Sequence, residues 1–446
     1  MPDLRIHLLV ALLLLPGMLA AQELWGLKAC MTYALKNHKS IQVHENNAII
    51  ADAQVREAQA AYLPSVNITG SIVDNVKPQV QIIPAGAFTP TDIKVAFTKQ
   101  YNTNGTVELT QTIYDHAALT GLQAGKYNRE HAELTSQQNR ETLLYNVSVA
   151  YYQVYVYRLQ LDMLQVNRDA YAEQIKISQA GVQKGVTSET DLNKIKVNYN
   201  NTLSSISDAE NNLAFYETQL KNAMGYPLQQ PLSLDSVAMP DDVLQTRFLL
   251  EDDSLNLHQR TAYRLSEIDA TLLDIQARQI RAGALPQLSF YARYGTLGFG
   301  NQFGEAFTGR SDFSAIGVNL KIPIFTGFKR QAQYTQAKYK QLNAVTNTAL
   351  NADNYAMEYK NARTKLAQSS ANVTNTRENV ALAEEVFAST NLQYQKGVTD
   401  LTDWLNAQNA LKEAQVNFLK AIYAYYTATV ELEKGKGTLT SFYDSL

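Results

Sequence analysis

The stretch Gln183-Lys184-Gly185-Val186-Thr187-Ser188-Glu189-Thr190-Asp191-Leu192 returns as Gln395-Lys396-Gly397-Val398-Thr399-Asp400-Leu401-Thr402-Asp403-Trp404, with seven of ten positions identical. Each copy lies between two segments with heptad-spaced apolar residues, so each reads as the turn of a long helical hairpin. Gly185 and Gly397 suit the left-handed position that ends a helix. Ser188-x-x-Asp191 and Asp400-x-x-Asp403 place a capping side chain and an acid in the first turn of the following helix. Turning and capping account for the glycines and the acids. They leave Lys184, Val186 and Thr187, and their counterparts Lys396, Val398 and Thr399, unexplained, because an exposed turn tolerates almost any polar residue. We expect a docking contact there.

The turn is one landmark of a duplication. Gly185 and Gly397 stand 212 positions apart, Tyr114 and Phe325 stand 211 apart, and Leu63-Pro64 and Leu285-Pro286 stand 222 apart. The order is the same in both halves, and the period is too long for a solenoid repeat. The first repeat runs over about residues 22–225 and the second over about 261–437.

The segment after the second turn carries Trp404, Ala407, Leu411, Ala414, Phe418, Ala421, Tyr425, Ala428 and Leu432 at alternating steps of 3 and 4. Its counterpart carries Leu192, Ile195, Tyr199, Thr202, Ile206, Ala209, Leu213, Tyr216 and Leu220. Both are seams for knobs-into-holes packing. A single helix over 115–183 would be about 100 Å long at ~1.5 Å per residue, and 328–395 repeats it. The patterns at 31–62, 187–224, 261–284 and 400–434 are shorter, and two stacked end to end would match one long helix.

Between the helices lie four strand-like runs, over about 65–83, 97–113, 286–300 and 311–325. Ser314, Ile316, Val318, Leu320 and Ile322 alternate with small or polar residues, and Leu288, Phe290, Ala292 and Tyr294 do the same. Each run has about the ~10 residues that a tilted membrane strand needs. A soluble four-stranded sheet with one wet face would share this pattern. Four strands cannot close around a pore, since small barrels need about eight, so membrane-spanning strands would have to be pooled by several chains.

Residues 1–21 read as a secretory signal peptide, with basic Arg5, an apolar Leu8–Leu15 core and small residues at Ala20-Ala21. No other stretch is apolar for long enough to be a transmembrane helix. A net charge of −3 with 18% charged residues gives no nucleic-acid footprint. One cysteine, Cys30, excludes an intrachain disulfide. The six histidines are scattered, and neither a phosphate loop nor a nucleophile elbow occurs, so no catalytic, cofactor or metal site is expected.

In this order, and twice over, the motifs resemble those of the TolC family of outer-membrane efflux and secretion channels. Leu27-Lys-Ala-Cys-Met-Thr-Tyr-Ala-Leu-Lys-Asn37 is similar to the family's opening helix. Ala61-Tyr-Leu-Pro64 and Gly283-Ala-Leu-Pro286 are similar to its passages into the β-barrel, and Ile322-Pro-Ile-Phe-Thr-Gly-Phe-Lys-Arg330 to its exit. The Gly-x5-Asp spacing at 185–191 and 397–403 is that of its periplasmic tips.

The resemblance implies a mixed α+β membrane protein and a homotrimer. Four strands from each chain would form a twelve-stranded β-barrel in outer-membrane lipid, continued by a twelve-helix coiled-coil α-barrel in the periplasm of a Gram-negative cell. Residues 226–260 and the tail 436–446 would form a mixed equatorial region. Family members are passive ducts, opened by a periplasmic adaptor (membrane fusion) protein and driven by an inner-membrane pump of the RND or ABC type. The implied function is the exit duct of a tripartite efflux pump. A type I protein secretion duct, or a soluble periplasmic coiled-coil scaffold, is the alternative. Where the family's tip usually reads Val-Gly-Leu, this chain has Lys184-Gly185-Val186 and Lys396-Gly397-Val398, which implies a different adaptor preference. Family members narrow their entrance with carboxylates. Glu173 and Glu385, each twelve residues before its tip glycine, are the expected gate ring.

Overall fold

A computed structural model describes residues 24–86, 90–235 and 255–446. The expected signal peptide over 1–21, residues 87–89 and the 236–254 part of the expected equatorial region lie outside them. The elements run α1 (Leu27–Asn37), α2 (Lys39–Ala60), β1 (Ser65–Asp74), β2 (Val80–Ile83), β3 (Ile93–Ala96), β4 (Tyr101–Tyr114), α3 (His116–Gln183) and α4 (Glu189–Met224). After a short 3₁₀ turn come α5 (Thr261–Ala282), β5 (Gln287–Gly300), α6 (Glu305–Thr308), β6 (Arg310–Lys321), α7 (Lys329–Gln395), α8 (Leu401–Lys436) and α9 (Leu439–Ser445).

The long helices follow the heptads. α3 has 68 residues and α7 has 67, while α4 and α8 have 36 each. Along α8 the expected seam is buried from Trp404 to Leu432, with only Ala414 half-buried. The helix expected over 31–62 instead breaks into α1 and α2. His38 takes an extended conformation, and its Nδ1 accepts the Ser40 amide at 3.2 Å, so the side chain caps the helix after it.

The described residues fall into two compact units. One comprises those up to His44, Ser136–Ala262 and Ala352–Leu446, and the other Glu45–Thr135 with Tyr263–Asn351. In the first, Cys30, Met31 and Ala34 of α1 pack with Val147 and Tyr151 of α3, Leu220 and Met224 of α4, and Leu439 of α9. Leu232 and Leu234 join the same core, and Trp25 bridges to Leu234. The segment after α4 and the C-terminal tail thus share one core. Burial pushes the Cys30 thiol up to about 12, as expected of an inert packing residue.

The second unit holds a four-stranded antiparallel sheet in the order β1-β4-β5-β6. β1 and β5 begin directly after Pro64 and Pro286, where a missing N–H costs nothing. Two strand expectations need correction. The run over 65–83 stops at Asp74, and Val80–Ile83 pairs separately with Ile93–Ala96 as a hairpin. The run over 311–325 stops at Lys321, because Pro323 cannot donate to a ladder. At the strand-to-helix junction, the Tyr62 hydroxyl donates to the Asp115 carbonyl, and Asp115 Oδ1 accepts the Ala117 amide at 2.9 Å to cap α3.

Candidate functional site: helix tips and an unfinished sheet

Both tips are Schellman turns. Gly185 and Gly397 have φ of 72° and 70°, where a side chain is strained. Val186 N–H donates to the Gly181 carbonyl and Val398 N–H to the Gln393 carbonyl, each at 2.9 Å. Gly185 N–H and Gly397 N–H donate to the Val182 and Tyr394 carbonyls at 3.0 Å, which satisfies further carbonyls of the last turns of α3 and α7. Ser188 Oγ then accepts Asp191 N–H, and Asp400 Oδ1 accepts Asp403 N–H, both at 3.0 Å. Hydrogen bonding to Ser188, then to Lys194, holds the Asp191 carboxyl below its ordinary value.

The valine side chains take no part in this. Val186 is 79% exposed and Val398 75%, so each tip offers one uncovered branched side chain beside a lysine. The threonines differ. Thr187 rests against Gly181, whereas Thr399 donates to the Asp403 carboxylate. The two tips therefore share a backbone and an apolar point but not a polar surface.

Just below the tips, one buried cluster joins all four long helices: Tyr171 of α3, Ile195 of α4, and Leu401 and Trp404 of α8, with Phe387 and Tyr394 of α7 packed on it. Trp404 is 1% exposed, and its Nε1 donates to Asn391 Oδ1 at 2.8 Å. Further along, Gln408 Nε2 donates to Asn167 Oδ1 at 2.8 Å between two buried side chains. The heptads place these residues on the seam. They do not say that the seam of one hairpin closes on the other. Glu173 and Glu385 both lie exposed on their helices, and Glu173 pairs with Lys176 at 3.2 Å.

The sheet has two unlike faces. Residues opposite one another across strands point to the same side. One side carries the rows Val66–Leu109–Ala292–Ile316, Ile68–Val107–Tyr294–Ser314 and Gln111–Phe290–Val318. Ile68 is 79% and Ile316 78% exposed. The other side carries Ser65–Thr110–Tyr291–Gly317, Asn67–Glu108–Arg293–Ala315 and Thr69–Thr106–Gly295–Phe313. Exposed aromatic and aliphatic residues gather at both strand ends, with Phe299, Phe303 and Phe307 at one, and Ile322, Ile324, Phe325 and Phe328 at the other. Among the described residues, β1 and β6 each have one unpaired edge. Among the described residues, no helix is long and apolar enough to cross a membrane, and no group of side chains could hold a metal ion.

A family model described as outer membrane efflux protein matches residues 31–226 and 264–438. The chain is 24% identical to the proteases secretion protein PrtF of Dickeya chrysanthemi, over 98% of this chain and 95% of that protein. It is 23% identical to the outer membrane protein TolC of Escherichia coli, over 76% of this chain and 70% of that one. The solved structure of the outer membrane protein VceC from Vibrio cholerae matches with a TM-score of 0.73 at 16% identity, over 92% of this chain and 96% of the other.

Proposed function

Because the chain belongs to the outer membrane efflux protein family, and is an exit duct of the outer membrane rather than an enzyme, we propose that three copies share one twelve-stranded barrel in the lipid. The observation that carries this reading is the sheet. Among the described residues, its four strands have two open edges, one apolar face that nothing covers, and aromatic residues at both ends. An apolar face this exposed suits lipid, and open edges suit the next copy. The helical hairpins then extend into the periplasm, with residues 226–235 and the tail forming a belt around α1. The region before Gln22 is the export signal.

On this reading the tips receive a periplasmic adaptor, which couples the duct to an inner-membrane pump of the RND or ABC type. Lys184, Val186 and Thr187, with Lys396, Val398 and Thr399, form the docking contact. The uncovered valines supply its apolar anchor. The experiment is native mass spectrometry of detergent-extracted protein, with a tagged adaptor present. The expected result is a mass of three mature chains, each lighter than the 49.7 kDa of the full sequence by its export signal, plus bound adaptor. With Val186→Asp and Val398→Asp together, the trimer remains and the adaptor is lost. A water-soluble monomer would sink the reading.

Glu173 and Glu385 form the entrance ring in the same proposal. Alanine at both positions then lowers the cation preference of the reconstituted duct, and an unchanged preference removes them from the gate. Efflux is the first reading of the cargo. Full-length similarity to a proteases secretion protein favours protein secretion as the second. Transport of a secreted protein rather than a small drug, in cells carrying each candidate pump, separates the two.

A further inference from the structure

The polar face of the sheet carries a charge pattern that the exit-duct reading does not use. Take the five cross-strand rows of that face from Ser289 to Leu297. They are filled by Ser, Thr, Asn, Gly, Ala, Tyr, Phe and Leu, apart from two charged residues, Glu108 and Arg293. These two are register partners on neighbouring strands, so they stand side by side at one level. Among the described residues neither has an ion-pair partner.

Arg293 is held in place by what surrounds it. The Tyr291 ring lies across to β6, over Gly317, where an added Cβ would come within 2.6 Å of the Tyr291 hydroxyl. The Phe313 ring lies across to β5, over Gly295, where an added Cβ would come within 2.5 Å of the ring. Both glycines are there to admit an aromatic ring. Arg293 stands between the two rings, opposite the small Ala315, with its guanidinium 6.0 Å from each ring centre. That is cation–π distance on both sides. The guanidinium is thus flanked by two rings.

We infer that Glu108 and Arg293 form the charge filter of the barrel lumen and set its charge selectivity. This rests on the shared-barrel reading, in which the polar face lines the duct. Three copies set guanidinium and carboxylate alternately around one ring, with aromatic rings beside each guanidinium. Such a ring favours solutes that carry both charge signs and an apolar part over ions of one sign, because each sign meets a repelling group at the same level.

The test is planar-bilayer recording of the full-length protein under a salt gradient. Removing one unit charge that acts across water at roughly 8 Å changes a permeability ratio by about twofold. Arg293→Gln is therefore expected to shift the reversal potential toward cations and Glu108→Gln toward anions, while the double variant returns close to the starting value. Unchanged ratios in all three, with clear conductance steps, overturn the filter but leave the duct standing. Absence of steps in the unmodified protein overturns the duct, and the filter with it. A second measurement reads the face directly. The single native thiol, Cys30, is buried. Arg293→Cys in outer membranes should react with a water-soluble methanethiosulfonate far faster than Ile316→Cys. Equal rates would show that the polar face does not line the lumen.

Discussion

Replacing Trp404 with alanine is expected to loosen both helical hairpins near their tips while leaving the rest of the helical unit intact. The indole is fully buried and touches three other aromatic rings: Tyr171 at 5.7 Å, Phe387 at 5.8 Å and Tyr394 at 6.3 Å between ring centres. Removing a buried tryptophan costs about 3–5 kcal/mol, and Asn391 loses the donor to its side-chain oxygen. The cluster around it is small and separate from the larger cores around Tyr151 and Ile422. The loss should therefore appear as local opening rather than global unfolding. Hydrogen exchange followed by mass spectrometry should show faster exchange around Tyr171 and Tyr394 and no change around Val147 and Val430. Equally fast exchange in both regions would mean that Trp404 is not a local clasp. Phenylalanine at 404 should fall between the two, since it keeps a ring but not the hydrogen bond.

The second large effect concerns the exposed face of the sheet. Ile316→Lys places an ammonium in the row Val66–Leu109–Ala292–Ile316, at about 2–4 kcal/mol per copy near the middle of a bilayer. In a shared barrel that cost is incurred by every copy. The variant should disappear from the outer-membrane fraction, read by immunoblot against the unmodified chain. Asn67→Lys is the matching control, because Asn67 lies one row along on the polar face, opposite Glu108. It should reach the membrane in normal amount. If both variants insert equally well, the apolar face does not meet lipid.

Much of this architecture could be read without coordinates, and what could not has physical causes. The tips are legible because a Schellman turn favours a glycine at its left-handed position and the helix that follows needs a cap, here three residues later. Both demands appear in the residues themselves at Gly185 and Ser188, and at Gly397 and Asp400. The long helices were legible because heptads are local. The break at His38 was not, because it depends on a side chain capping the helix behind it. The early end of the last strand is encoded in Pro323, but the apolar alternation runs on past Lys321 to Ile322 and masks it. Pairing across the two halves, β4 with β5, has no local signal, since each strand states which face is apolar and not which neighbour it will meet. The same holds for the site. Lys184, Val186 and Thr187 could be singled out by identity with their counterparts. The clasp at Trp404 and the register partnership of Glu108 with Arg293 needed the folded chain.

The open edges of β1 and β6 also bear on how the protein is made. A chain whose sheet is completed only by other chains has no concentration-independent stability: dilution alone favours the unfinished form. If three copies share one barrel, as proposed, each newly exported copy carries two unpaired backbone edges and a sticky face until its neighbours arrive, a ready template for aggregation. The interval between export and assembly is then the vulnerable stage of its life, when escort by a chaperone or removal by a protease decides the yield.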